Sequence, residues 1–162
     1  MTILEKIIKT KQAELEIVKK TISIEDLRKL PNYERKSDSL VDKLKNNSHG
    51  IIAEHKRKSP SKSVINDSIL INQIIKGYDQ ADVCGISVLT DKDYFGGSLN
   101  DLRTARKLTK IPILRKEFII DEYQIIEAKA NGADVILLIA ACLEKKQIIN
   151  LSSLAKKIGL EV

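Results

Sequence analysis

The stretch "CGISVLTDKDYFGGSLNDLRTARKLTKIPILRKEF", residues 84 to 118, sets an apolar run, a polar loop, a helical pattern and a second apolar run one after another. The runs are continuous rather than alternating, as expected of parallel strands covered on both faces, and the segment between them supplies the crossover. The same texture extends in both directions. "GIIAEHK" and "SILINQIIKGY" come before it, while "DEYQIIEAKANGA", "DVILLIAA", "EKKQIINLSSLAKKIG" and "LEV" follow, making four strand–helix units and the opening of a fifth strand. Right-handed crossovers join such units into a parallel α/β sheet. Local punctuation agrees: Ser98 with Asp101, and Asp121, suit helix starts, and Gly132 and Gly159 fall where a helix end takes a left-handed residue.

Upstream of residue 49 the pattern is helical throughout. Residues 2 to 20 carry an interrupted apolar stripe of Ile3, Leu4, Ile7, Ile8, Leu15 and Val18. "SIED" offers Ser23 and Asp26 as a capping box for a second helix that stops near Pro31, and "SDSLVDKLKNN" predicts a third with Leu40, Val41 and Leu44 on one side. The expected organisation is a helical extension over 1–48 and a βα unit over 49–162.

Composition narrows the function. With 162 residues, 43% of them hydrophobic, the chain has enough apolar side chains for a real core. Lys and Arg number 28 against 22 Asp and Glu, but these charges alternate along helical stretches, and no basic run is interleaved with aromatic residues. That argues against nucleic acid and suits an anionic small molecule. Cys84 and Cys142 lie in apolar stretches, form no C-x-x-C and have no histidine at ligand spacing, so buried reduced thiols are expected rather than a zinc or redox site. The N-terminus is neither a signal peptide nor a membrane span, which leaves the cytoplasm as the default location.

Polar residues collect at the C-terminal ends of the strands, where parallel α/β folds bind ligands: Glu54 and Lys56, then Thr90 and Asp91, then Lys116. Glu54 and Lys56 are two apart and share a face, whereas His55 points the other way; Leu114, Lys116 and Phe118 share a face of the third strand. If both faces line one interior, a carboxylate sits between two ammonium groups, an arrangement that keeps the acid ionised and draws the amines toward acid–base work. Alternatively, Glu54 and Lys56 are a surface ion pair at a strand end. "SPSKS", residues 59 to 63, offers hydroxyls on a Pro-stiffened turn, and in "DYFGGS" the paired glycines predict a flexible connection from which Phe95 is as well suited to covering a ligand as to anchoring its own loop.

Taken together, "IIAEHKRKSPSK", "ISVLTDKDYFGGS", "PILRKEFIIDEYQI" and "GADVILLIAACL" resemble, in order and spacing, the indole-3-glycerol-phosphate synthases of tryptophan biosynthesis. The resemblance covers essentially the whole chain. It implies a TIM barrel with extra N-terminal helices and an enzyme that converts 1-(2-carboxyphenylamino)-1-deoxyribulose 5-phosphate to indole-3-glycerol phosphate, releasing carbon dioxide and water without metal or cofactor. By resemblance, Lys116 is the general acid of ring closure, and Glu54 with Lys56 assists dehydration and holds charged groups. Ser59 and Pro60 border the substrate, and Phe95, Phe118 and Leu137 form the pocket for the anthranilate ring. Two small departures are Ser63, where glycine is usual, and Glu117, where aspartate is common. The large one is length: such a barrel takes ~250 residues and eight strands, and the sequence stops at Val162, at the opening of strand 5. The expectation is therefore an N-terminal portion of a barrel, inactive alone, that self-associates through open sheet edges or rearranges into a closed sandwich. The other phosphosugar barrels, such as phosphoribosylanthranilate isomerase, are the alternative within the enzyme class.

Overall fold

The computed structural model describes residues 1 to 162. Its centre is a four-stranded parallel sheet of β1 (Ile52–His55), β2 (Gly85–Leu89), β3 (Ile113–Lys116) and β4 (Val135–Ile136), in sequential order. Each strand is followed by a helix: α4 (Ile71–Gln80), α5 (Leu99–Leu108), α6 (Glu122–Ala130) and α7 (Lys145–Lys157). Glu161 begins a fifth parallel strand by pairing with Val135. This is the architecture of part of a TIM barrel, and the sequential order shows that the strands have not rearranged into a sandwich of different topology.

Alternation along the strands sorts side chains to two sides of the sheet. Ile86, Val88, Ile113 and Ile136 face α4 to α7 and meet Ile75, Leu102, Ile125 and Leu151 in the main apolar core. Full burial of each such side chain contributes about 1.5–3 kcal/mol. The opposite face carries Glu54, Ser87, Leu114 and Val135, which the strand register sets side by side.

Three helices precede the sheet: α1 (Ile3–Thr21), α2 (Ile24–Arg28) and α3 (Leu40–Lys45). A capping box between Thr2 and Glu5 starts α1. At α2 only half of the expected box forms, because the Ser23 hydroxyl donates to the Asp26 carboxylate while accepting from the Asp26 amide. In α3 Leu40 is buried, but Val41 points to solvent, so the expected three-residue apolar side narrows to Leu40 and the half-buried Leu44. Leu15 and Leu27 pack on Tyr123, Ile126 and Ala130, which covers the outer side of α6 and leaves Tyr123 through Ala130 buried all round.

The extension grips both ends of the sheet. α1 lies over the loops after β2 and β3, with Thr10 hydrogen-bonded to the Tyr94 hydroxyl at 3.0 Å and Lys19 paired with Asp121 at 2.6 Å. At the other end, buried Asp134 accepts from Arg35, Arg106, the Asp38 amide and the Ile113 amide. Glu161 caps α3 by accepting from the Leu40 and Val41 amides at 3.0 and 3.1 Å.

β4 is shorter than "DVILLIAA" predicts. Its ladder with β3 ends at Arg115 and Ile136, the strand beginning at Glu161 reaches it only at Val135, and a single 3-10 turn then forms over Ala140–Cys142. Without a partner on either side, Leu137 to Ile139 have no hydrogen bonds to hold them in a ladder. Gly132 and Gly159 take positive φ of 96° and 80°, as their places at helix ends require.

Candidate functional site

Register brings the candidate residues together. Glu54 pairs with Ser87 across β1 and β2, and Leu89 pairs with Lys116 across β2 and β3, so Glu54, Lys56 and Lys116 point into one cavity at the C-terminal end of the sheet. Leu89, Asp91, Phe95, Glu117, Phe118 and Ile139 complete its lining. The Glu54 carboxylate bridges two cations: Oε1 lies 3.2 Å from Lys56 Nζ and Oε2 lies 3.3 Å from Lys116 Nζ. A third donor is the Ser87 hydroxyl, 2.7 Å from Oε2.

Partial burial pushes the Glu54 carboxyl toward higher pKa, but the Ser87 hydrogen bond and the Lys116 and Lys56 ammonium groups outweigh it, and the net shift is downward. Glu54 is therefore a fixed anion that fans two ammonium groups into the cavity. All three side chains keep between 25% and 37% of their surface exposed, so a ligand can reach them. This arrangement exceeds a lone surface ion pair, because one carboxylate organises groups from two strands across a third.

The aromatic wall is also assembled. The Phe95 and Phe118 rings lie 6.0 Å apart at an angle of 39°, and Lys56 Nζ stands 5.9 Å from the Phe95 centroid, within reach of a cation–π contact. Phe95 is thus both loop anchor and cavity wall. The paired glycines beside it are not a flexible connection: a Cβ on Gly97 would collide with the Leu89 carbonyl, so glycine is what lets this loop press on β2.

Other expected residues stand further off. Ser59 and Pro60 form the first half of a tight turn closed by backbone hydrogen bonds between Ser59 and Lys62, with the Ser59 and Ser61 hydroxyls 3.2 Å apart. This turn does not line the cavity. Nor does Leu137, which is half-buried just beyond β4, whereas Ile139 two residues on does. Thr90 and Asp91, expected among the reactive groups, spend their hydrogen bonds elsewhere: Thr90 on Glu117 and Arg115, and Asp91 on the Tyr94 and Phe95 amides. His55 faces away from the cavity as expected, into a crevice with Ile75 and Tyr78; its burial and then the nearby Arg57 hold its pKa down.

Sequence reasoning missed Ser87, although a small polar residue inside the apolar run "GISVL" was a visible signal. It also missed Ile139, whose role depends on where the chain goes after a two-residue strand.

Comparison with known proteins decides between the barrels of this kind. The description of indole-3-glycerol phosphate synthase as a sequence family matches residues 4–162. The chain belongs to the indole-3-glycerol phosphate synthase family. Among proteins named indole-3-glycerol phosphate synthase, that of Bacteroides thetaiotaomicron is 46% identical over 160 residues, covering 99% of this chain and 62% of its own length. That of Leptospira interrogans is 46% identical over 159 residues, and that of Neisseria meningitidis serogroup B is 40% identical over 164 residues. The chain spans about three-fifths of the length of these synthases, 60% to 63%. Family membership sets aside the isomerase alternative. No helix is long and apolar enough to cross a membrane.

Proposed function

We propose that this chain provides the acid–base and ring-binding part of an indole-3-glycerol-phosphate synthase, a carbon–carbon lyase that acts on 1-(2-carboxyphenylamino)-1-deoxyribulose 5-phosphate. The observation that carries this is the Glu54 carboxylate held between Lys56 and Lys116 beside the Phe95–Phe118 pair. In this reading the anthranilate ring rests against Phe95 and Phe118, near the ribulose chain it must attack. Lys116 gives a proton to the keto oxygen as the carboxylate-bearing ring carbon bonds to the keto carbon. Carbon dioxide then leaves from that carbon, its bonding electrons restoring the benzene ring, and the new hydroxyl departs as water with a proton from the neighbouring methylene, completing the indole with the assistance of Glu54 and Lys56. Lys56 also attracts the substrate's anionic groups. Ser59 and Pro60 border the bound substrate from the turn after β1, and Leu137 adds apolar cover if the segment after β4 closes on the ring.

The division into an extension over 1–48 and a barrel portion over 49–162 belongs to the same proposal, although Leu15 and Leu27 share a small core with α6. A cytoplasmic location is supported by the two free thiols, Cys84 and Cys142. For the 162-residue polypeptide by itself, a second reading is a non-catalytic unit that associates with copies of itself. It is favoured by the unpaired outer edge of β1, where Ile51 and Ile52 are exposed.

The test is turnover of the anilino-deoxyribulose phosphate, followed by indole fluorescence, with the polypeptide alone and with an added polypeptide that supplies the rest of a family barrel. Turnover that appears on addition and disappears in Lys116→Ala supports the synthase. Turnover indifferent to Lys116→Ala overturns the assigned roles, and silence in both mixtures supports the passive unit.

A further inference from the structure

Along α1 the buried stripe is Ile7, Lys11 and Leu15, and a helix that only packs has no use for the lysine, since an unpaired ammonium loses several kcal/mol on leaving water. Lys11 is 5% exposed. Its Nζ lies 2.6 Å from Glu14 Oε2, 3.1 Å from Asp91 Oδ2 and 3.4 Å from Glu117 Oε1. Burial lowers its pKa, but Glu117, Glu14 and Asp91 together outweigh burial and drive it well above the ordinary lysine value.

Asp91 and Glu117 both hold the main chain of the cavity wall. Asp91 Oδ1 accepts from the Tyr94 amide at 2.8 Å and the Phe95 amide at 3.1 Å, while its buried Oδ2 has no hydrogen-bond partner and faces the Lys11 ammonium. Glu117 Oε1 accepts from the Phe118 amide at 2.9 Å. One cation from the extension, also paired with Glu14, therefore faces two carboxylates, each of which anchors one of the two rings.

We propose that Lys11 is a positioning residue: acting from α1 through Asp91 and Glu117, it fixes the placement of the Phe95 and Phe118 rings and so sets the cavity's affinity for an aromatic carboxylate of the anthranilate type. The affinity half rests on the ring-pocket reading given under the proposed function. The buried charges explain why. Lys11 and Arg115 face Asp91, Glu117 and Glu127, so removing Lys11 leaves one buried cation against three carboxylates. A proton or water then has to enter, a protonated carboxyl accepts more weakly from an amide, and the ring that amide carries is released.

Amide hydrogen exchange and anthranilate titration test this in Lys11→Met, which keeps the aliphatic stem. Exchange at the Tyr94, Phe95 and Phe118 amides should quicken by about tenfold or more, as expected for losing hydrogen bonds to charged groups. The Ile86, Val88 and Ile113 amides should be unchanged, anthranilate should bind roughly tenfold more weakly, and Lys11→Arg should restore both. Unchanged exchange at the three amides, or equal acceleration across the whole sheet, overturns the proposal. If anthranilate fails to bind the unsubstituted protein, the ring-pocket reading and the affinity half fall together, and the exchange pattern decides the positioning half. Should Lys11→Met not fold, Lys11→Met with Asp91→Asn decides: it removes one charge of each sign while the new amide oxygen still accepts from Tyr94 and Phe95. Recovery of folding with normal exchange supports charge coupling, and failure to recover overturns it.

Discussion

Two ionic clusters sit back to back at the same end of the sheet, and three consecutive residues divide between them. Lys116 joins Glu54 and Lys56 in the cavity, with side chains 25% to 37% exposed. Its neighbours Arg115 and Glu117 aim their charged groups the other way, to Thr90, Glu127 and Lys11, although Glu117 still borders the cavity; the Arg115, Glu127 and Glu117 side chains are 3%, 8% and 3% exposed. Both clusters consist of carboxylates and cations at hydrogen-bond distance. Water access separates them: the sealed cluster uses its acceptors to hold backbone and loops, while the open one leaves ammonium groups within reach of a ligand. An ion pair is thus left open to a ligand where a strand's alternation turns it toward the interior, and is sealed into the architecture where it turns toward the helices.

The largest expected effect breaks the sealed side. Arg115→Met strands Glu127 and weakens the hold on Thr90 and the Gln124 carbonyl, and should destabilise the fold by about 3–5 kcal/mol, read from the denaturant midpoint. A loss under about 1 kcal/mol, the scale of exposed pairs, would erase the contrast between the two clusters.

Gly97→Ala probes the loop both clusters share. Its new methyl group collides with the backbone of Leu89 and Thr90, and a loss of about 1–3 kcal/mol is expected by thermal or denaturant unfolding. Full stability in this variant would show that the loop can move away from β2 without cost.

On the open side stability and function should part. Lys116→Met is expected to change stability by about 1 kcal/mol or less while removing the synthase turnover proposed for the chain when an added polypeptide supplies the rest of a family barrel. Parallel unfolding and activity measurements check this, and a stability loss as large as that of Arg115→Met would show that the cavity's ions are structural as well.

The smallest effect is electrostatic. In the folded protein the Glu54 carboxyl lies below its unfolded value of about 4.3, so its contribution to stability is complete above that pH and fades as the pH falls through the lower folded value. Ser87→Ala removes a hydrogen bond to the ionised form, so Glu54 should titrate closer to the ordinary carboxyl range and the acid loss should be smaller and complete at a higher pH. Carboxyl NMR titration of both proteins measures it; no difference would mean that the two lysines alone set the shift.

Much of this contrast was legible in the residues themselves. Continuous apolar runs alternating with helical segments gave the parallel sheet, and a spacing of two gave Glu54 and Lys56 a common face opposite His55. Four features were not legible. Val41 looks like core in a helical projection and is exposed, because α3 is anchored at its start through Leu40, Ser39 and Glu161. The polar residues of α6, Gln124, Glu127 and Lys129, read as a solvated face, yet each is buried against a partner distant in sequence or across a turn. Lys11 reads as one more surface lysine between helical turns. Gly97 reads as freedom and proves to be contact.

Local spacing by itself determined the element order, the parallel class of the sheet and which side chains of each strand travel together, since these depend on backbone periodicities of 2 and 3.6. Family membership was also written in the four motifs. Only the tertiary structure decided which ion pairs are sealed and which stay open, because burial depends on what another part of the chain lays over a residue. Here that covering element is α1, whose Lys11 lies 80 residues before Asp91 in sequence and 3.1 Å from it in space.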